Sequence, residues 1–360
     1  MNRLYVINDL HLGVQRTGGT TSKSADALRQ YAHRQYLELL HIAEDGDVVL
    51  VNGDLTDQFN IDLGQAIQIY ANTAEFLQEK PGVELVWSVG NHDLAKDSSK
   101  LGTVAFLGSL LESQFGDRFR LITEPCVLRG KFYVIPHVAN QDLFELELSR
   151  IPDEAEVVFL HCNFDNTFAC AADHSLNLSR DQAKVLTKAG KRVVLGHEHQ
   201  GRTMMSDKLI ITGNQFPTSV SDCLSHGDAQ KDGKKYALAI NLSDTSDMDL
   251  IPTWAPCDKV GGYAEIDWRN LEQAPAHLGF IRVSGTATPE ESSQVVKAIA
   301  SLRQTHQAFV ITNAVKVDSL DDEEAPEVSI EDIKAVSVIE LLMGMLDESQ
   351  RAVVETLMKD

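Results

Sequence analysis

Five short clusters of Asp, Asn and His carry what chemistry this sequence holds. The first is Asp9-Leu10-His11, directly after an apolar run. Residues two apart in an extended chain face the same side, so a carboxylate and an imidazole there can reach one cation. The second is Gly53-Asp54, after Val48-Val49-Leu50-Val51-Asn52. A carboxylate has two oxygens with several lone pairs and can bridge two cations. Asp57, close by, reads as a turn or cap residue. The third is Gly90-Asn91-His92-Asp93. Asn91 offers a neutral carbonyl oxygen, His92 a proton donor or transition-state contact, and Asp93 a carboxylate that can orient an imidazole. The fourth is His161, after Val157-Val158-Phe159-Leu160. The fifth is Gly196-His197-Glu198-His199, where two imidazoles share one side of an extended segment and Glu198 faces the other.

Each cluster is weak taken singly. Asp-x-His arises by chance, Gly-Asp is an ordinary turn, and a lone His usually packs in a core or sits on a surface. Together they are specific. All five follow a β-rich run, the position where α/β sheets place their sites. They hold five of the twelve histidines. The others lack this context, with His137 and His174 nearest to it. A mixed imidazole and carboxylate set suits Mn²⁺ first, with Fe²⁺, Zn²⁺ or Mg²⁺ as alternatives. Two such ions, ~3.5–4 Å apart, clamp a phosphoryl group, activate a water and stabilise the leaving oxygen.

The elements that must position these residues are legible as short Val/Ile/Leu runs at 4–8, 47–52, 84–89, 132–135, 157–160, 192–195 and 209–212. Several are apolar nearly throughout, as strands covered on both faces are. Helix-length segments such as 25–44 and 63–79 lie between the early ones, which is the pattern of a layered α/β fold. Residues 236–242 read as a further strand, and 243–262, with Pro252 and Pro256, as a loop. A strand at 280–284, a helix at 289–304 and a strand at 308–317 then form a small α/β unit. After an acidic stretch at 321–327, Ser329-Ile330-Glu331-Asp332 reads as a capping box. It opens a helix whose Ile333, Val336, Ile339, Leu342 and Leu346 form an apolar stripe. The expected division is 1–255, 256–320 and 321–360.

The chain has 360 residues and a formal charge of −21, from 53 acidic against 32 basic side chains. Such a charge opposes a broad non-specific nucleic-acid footprint, although two divalent cations would reverse the field locally. The five cysteines are irregularly spaced and form no zinc knuckle, so reduced thiols in a cytoplasmic protein are expected. Neither a signal-peptide pattern nor a membrane-length apolar run is visible.

In order and in spacing, Asp-x-His, Gly-Asp, Gly-Asn-His-Asp, a lone His and Gly-His-x-His over residues 1–215 resemble the calcineurin-like metallophosphoesterase superfamily. The resemblance implies a four-layer α/β sandwich. It implies one cation on Asp9, His11, Asp54 and His199, and a second on Asp54, Asn91, His161 and His197. Asp54 bridges them and His92 acts on the leaving group or transition state. Asp9-Leu10-His11-Leu12-Gly13, the stretch 213–222 and Lys234-Lys235-Tyr236 look most like the SbcD-type DNA repair exonucleases and their phage relatives. That branch implies a small α/β capping domain, a C-terminal helical segment, a DNA substrate and an SbcC-type ABC ATPase docked on residues 329–346. Packing on the chain's own domains, or a homodimer mate, accounts equally well for that stripe. Arg16 and Lys23, in the polar loop 15–23, are candidate phosphate contacts. The alternative reading is a phosphodiesterase or phosphatase for a nucleotide or other small phosphoester.

Overall fold

The computed structural model describes residues 2–14, 21–94, 102–168, 170, 175–224 and 233–318. The helical segment expected at 329–346, and Arg16 and His174, lie outside them. Four strands run parallel at the heart of a first sheet: β1 (Arg3–Ile7), β2 (Val48–Asn52), β3 (Glu84–Ser88) and β4 (Phe119–Ile122). Helices Ser22–Leu40 and Leu63–Glu79 make the crossovers between the first three. Thr21 caps the first helix and Asp62 the second, each accepting from backbone amides of the opening turn.

The chain then enters a second sheet through β5 (Cys126–Leu128), β6 (Phe132–Ile135) and β7 (Val157–His161). A short parallel pair, β8 (Asn163–Phe164) and β9 (Asn177–Leu178), follows. Next come β10 (Arg192–Gly196), β11 (Arg202–Met204) and β12 (Leu209–Ile211). The sheet order is β11-β12-β10-β7-β6-β5, with β6, β7, β10 and β12 parallel. The chain returns to the first sheet with β13 (Lys235–Asn241), antiparallel to β1, and β14 (Met248–Trp254), antiparallel to β13.

The sandwich has four layers. Leu4, Val6, Val48, Leu50 and Val86 of the first sheet pack on Phe132, Val134, Val157, Phe159 and Val194 of the second. The alternate residues Ile7, Val49, Val51, Leu85 and Trp87 face the helices Ser22–Leu40 and Leu63–Glu79. On the far side, Val158, Leu160, Val193 and Leu195 pack under Phe144, Ala183 and Leu186. Every residue of β2 and β7 is buried, which matches their apolar runs up to the terminal Asn52 and His161.

The segment 243–262, expected as a loop, contains β14. It is the edge strand of its sheet, and an edge tolerates Pro252 because only one side of the strand pairs. Beyond it, Gly262–Asp267, Leu278–Ser284 and Val310–Asn313 form a small parallel sheet with Leu278–Ser284 in the centre, and helix Ser292–Thr305 precedes the last strand. Packing joins this sheet to the sandwich. The Tyr31 ring lies 5.0 Å from that of Phe309 and 6.2 Å from that of Phe280, inside the same core as the first sheet's helix layer. Among the described residues, those up to 285 together with 293–316 belong to one compact unit, and 286–292 with 317–318 to another. No helix among the described residues is long and apolar enough to cross a membrane.

Candidate metal centre

All five clusters stand at the C-terminal ends of parallel strands, three from the first sheet and two from the second. Asp9, Asp54 and Asn91 follow β1, β2 and β3; His161 ends β7 and His197 follows β10. Strand direction in the two facing sheets therefore brings residues 188 positions apart, such as His11 and His199, to within 3.0 Å between their Nε2 atoms.

The backbone does this by a route other than the extended one expected. Asp9, His11, Asp54 and His197 all have positive φ, at 53°, 45°, 51° and 88°. This left-handed region costs a non-glycine residue roughly 1–2 kcal/mol. Four instances at one place mark strain held by its surroundings. The loops after β1 and β2 run side by side: the His11 amide donates to the Asp54 carbonyl at 3.1 Å and the Leu12 amide to the Leu55 carbonyl at 2.9 Å. The His197 amide donates to the Asp9 carboxylate at 3.0 Å and the His92 amide to Asp54 Oδ1 at 3.0 Å. Two glycines make room. A Cβ on Gly53, itself at φ +91°, would meet His161 Nδ1 at 2.1 Å, and one on Gly90 would meet Asp54 Oδ1 at 2.1 Å.

Ligand-type atoms fall into three groups that overlap: Asp9 with His11 and His199; His11 with Asp54 and His92; Asp54 with His161 and His197. In each group these atoms lie within 4.8 Å of one another. Asn91 Oδ1 is 3.2 Å from His161 Nε2 and 3.1 Å from His197 Nδ1, so the amide oxygen joins the third group. Asp54 Oδ2 lies 3.3 Å from His161 Nε2. Donors about 2.1 Å from a central cation stand about 3 Å apart along an octahedral edge, and these spacings fit that shell.

The tautomers fit as well. His161 Nδ1 faces the Asn52 carbonyl at 2.9 Å, and His199 Nδ1 faces Asp222 Oδ1 at 2.8 Å. His11 Nδ1 lies 3.5 Å from Asp57 Oδ1, within ion-pair reach and too long for a good hydrogen bond. Acceptors behind His11 and His199 favour a proton on each Nδ1. The two Nε2 lone pairs then point at one another, an arrangement that a cation relieves.

The charges are strongly coupled. Burial would raise the Asp54 carboxyl, but His161, His11 and His92 outweigh it and hold Asp54 well below the usual carboxylate range. Burial would lower His161, but Asp54 and Asp9 push it up to about 10. Asp93 is pushed up to about 6 by burial and by the nearby Asp54 charge.

Asp93, expected to orient an imidazole, makes its hydrogen bonds elsewhere. It accepts from the amides of Leu55, Thr56 and Gly90 at 3.3, 3.0 and 2.9 Å and from Thr56 Oγ1 at 2.9 Å. It therefore clips the β3 loop to the β2 loop. His92 is oriented instead by the Asp57 carbonyl, 2.7 Å from its Nδ1. The His92 side chain is 33% exposed, with Nε2 4.0 Å from Asp54 Oδ2. Glu198 accepts from the Phe164 amide at 2.7 Å and pairs with Arg202, away from the ligand groups. Lys23 is exposed in the first turn of helix Ser22–Leu40 instead of in a loop, because Thr21 starts that helix.

Several residues at the site escaped sequence reasoning. Asp57, read as a turn residue, is buried against His11. Asp222 is buried behind His199; its burial would raise its pKa, but His199 and Lys235 hold it below the ordinary carboxylate range. Lys235 is buried with Nζ 3.1 Å from the His199 carbonyl. Asn52 donates from Nδ2 to the Leu160 carbonyl at 3.0 Å, stitching one sheet to the other beneath the site. No short spacing flags any of them, since each partner is distant in sequence.

A family model described as Calcineurin-like phosphoesterase matches residues 2–201. No curated protein matches the chain. Among solved structures, the chain is similar to TT1561 of Thermus thermophilus, with 9% identity and a TM-score of 0.39 over 70% of this chain and 99% of that one. It is also similar to a cold-active protein-tyrosine phosphatase of a psychrophilic Shewanella species, with 10% identity and a TM-score of 0.33 over 70% and 80% of the two chains. A dimetal phosphatase from Danio rerio aligns at 13% identity and a TM-score of 0.31 over 71% and 97%.

Proposed function

This chain belongs to the calcineurin-like phosphoesterase family, and from that premise we propose that it hydrolyses phosphodiester bonds in DNA from an end, using two divalent cations, with Mn²⁺ the preferred metal. The observation that carries the hydrolytic part is the convergence of Asp9, His11, Asp54, Asn91, His161, His197 and His199, with Asp54 reaching both histidine sets. When bound, a cation pair supplies a water of lowered pKa and neutralises charge on the phosphoryl oxygens. The chain's own residues do the rest. Asp54, kept ionised by the histidines around it, holds charge between the two ligand groups. His92, its Nδ1 proton on the Asp57 carbonyl, presents Nε2 at the open side of the site, where it can hold a proton for the leaving oxygen. Asp93 keeps Asn91 and His92 in register with Asp54 by fixing the loop between them.

DNA as substrate is supported by the resemblance of 9–13 and 213–222 to the exonuclease branch, and by the small α/β unit after residue 262. An SbcC-type ATPase docked on 329–346 is the partner that this reading implies, and the five unpaired cysteines fit a reducing cytoplasmic compartment. The charge of −21 favours a second reading, a nucleotide or other small phosphoester. Linear duplex and single-stranded DNA assayed beside cyclic nucleotides with Mn²⁺ separate the two. Release of nucleotides from DNA ends is expected; intact DNA with turnover of the small ester would overturn the DNA reading.

A further inference from the structure

The chain leaves the ligand His161 at the end of β7 and enters β8 two residues later. The Phe164 amide donates to Glu198 Oε1 at 2.7 Å, and Glu198 stands between His197 and His199. The Asn163 amide donates to the Leu176 carbonyl at 2.8 Å and the Asp165 amide to the Leu178 carbonyl at 2.9 Å. These bonds fix residues 163–165 beside two of the five ligand clusters. Phe168 follows, and its side chain is 86% exposed, the most of any large apolar residue among those described. One exposed apolar side chain is ordinary by itself. What sets Phe168 apart is its position next to the metal centre and the cations around it. Arg180 lies with its guanidinium carbon 5.6 Å from the centre of the buried Phe164 ring, and its Nε is 2.9 Å from Asp165 Oδ2. Arg202 pairs with Glu198, the carboxylate that also holds the Phe164 amide.

A chain of formal charge −21 repels a nucleic acid at long range, so local cations must receive the strand's phosphates. Arg180 is suited to this. Its side chain is 57% exposed and that of Asp165 is 41% exposed, and an ion pair so open to water adds little stability, so the guanidinium can turn to a phosphate oxygen. An aromatic ring beside such a cation is what holds an unpaired base, because every base offers a π-face whatever its sequence. We propose that Phe168 is a stacking platform for an unpaired base of the substrate strand, and that Arg180 holds a phosphate of the same strand. Bases inside a duplex are already stacked on one another, so the platform favours a single-stranded or frayed end over an intact blunt one. This inference rests on the DNA reading proposed above and specifies the form of DNA that the site takes.

The test measures KM and kcat of the full chain with Mn²⁺ on three substrates: a single-stranded oligonucleotide, the same oligonucleotide with abasic terminal nucleotides, and a chromogenic diester. Phe168→Ala should raise KM for the first about 5–150-fold, the usual worth of one stacked base, and leave turnover of the chromogenic diester unchanged. On the abasic strand the variant and the unaltered chain should match, since there is no base to stack. Phe168→Trp should restore the low KM. Arg180→Gln should raise KM on both strands and reduce the slope of log KM against log salt by about 0.7, the share of one phosphate on a single strand. An unchanged KM in Phe168→Ala overturns the stacking role and leaves the ring as a contact for a protein partner. An equal rise on the abasic strand, or a loss of chromogenic turnover, overturns it as well, since either means a general defect. An unaltered salt slope in Arg180→Gln overturns the phosphate contact. If the unaltered chain leaves both strands intact while it hydrolyses the chromogenic diester, the DNA reading itself fails and the platform falls with it.

Discussion

His92 and Asp54 occupy neighbouring positions with opposite demands. In the proposed reaction, Asp54 stays ionised among three imidazoles, and His92 would hand a proton to the leaving oxygen from the open side of the site. His92→Ala should lower turnover about 10²–10⁴-fold, the usual worth of a positioned general acid, while bound metal stays near its normal amount. Elemental analysis beside a chromogenic diester assay checks both halves; loss of metal together with activity would make His92 a ligand instead. The glycines set a steric limit at the same scale. Gly90→Ala places a methyl group against Asp54 Oδ1, so metal content and thermal stability should fall together.

At the scale of elements, the site depends on two sheets keeping one alignment. The Asn52 side chain bonds the end of β2 to the Leu160 carbonyl in β7, and the Asn52 carbonyl accepts from His161. Asn52→Ala removes that side-chain donor from the buried Leu160 carbonyl, and the expected loss is about 1–3 kcal/mol in a urea melt. Leu50, fully buried between the sheets, should cost about 2–5 kcal/mol on truncation to Ala. The small sheet is held by aromatic contacts to the helix Ser22–Leu40, so Phe280→Ala should cost about 3–5 kcal/mol, read in the same melt. A separate, earlier unfolding step for the small sheet in that variant would show that it has its own cooperative unit.

For the whole molecule, the cluster ties stability to pH and to metal. The His161 pKa is raised from 6.5 to about 10, so its contribution is complete below 6.5 and lost as pH rises toward 10. Asp93, raised from 3.8 to about 6, acts in the same direction at lower pH: its contribution is lost between those values. Asp54 is depressed, so its contribution is present above the ordinary carboxylate range and is lost only in strong acid. The chelated protein should therefore melt at progressively lower temperature between pH 6.5 and 10, and His161→Asn should flatten that slope. Because a ligating imidazole must give up its proton, Mn²⁺ binding at pH 8 should release protons, visible as a dependence of the calorimetric heat on buffer ionisation enthalpy. A heat independent of buffer would mean that His161 is already neutral in the metal-free protein.

The sequence by itself determined the candidate ligand types, the strands that carry them and the order in which they come. Those depend on local signals: apolar runs long enough for buried strands, and Asp, Asn and His placed just beyond their ends. It also left β14 hidden, because Pro252 reads as a breaker and only its edge position makes it tolerable. What the tertiary structure alone decided is how the ligands are held. The left-handed backbone at Asp9, His11, Asp54 and His197 replaces simple alternation, and Asp93 turns out to fasten a loop. Asp57, Asp222 and Lys235 gain their roles from neighbours brought close by packing of two sheets. No residue-type pattern at short range encodes such contacts, since their geometry exists only once the strands from both sheets end at the same place.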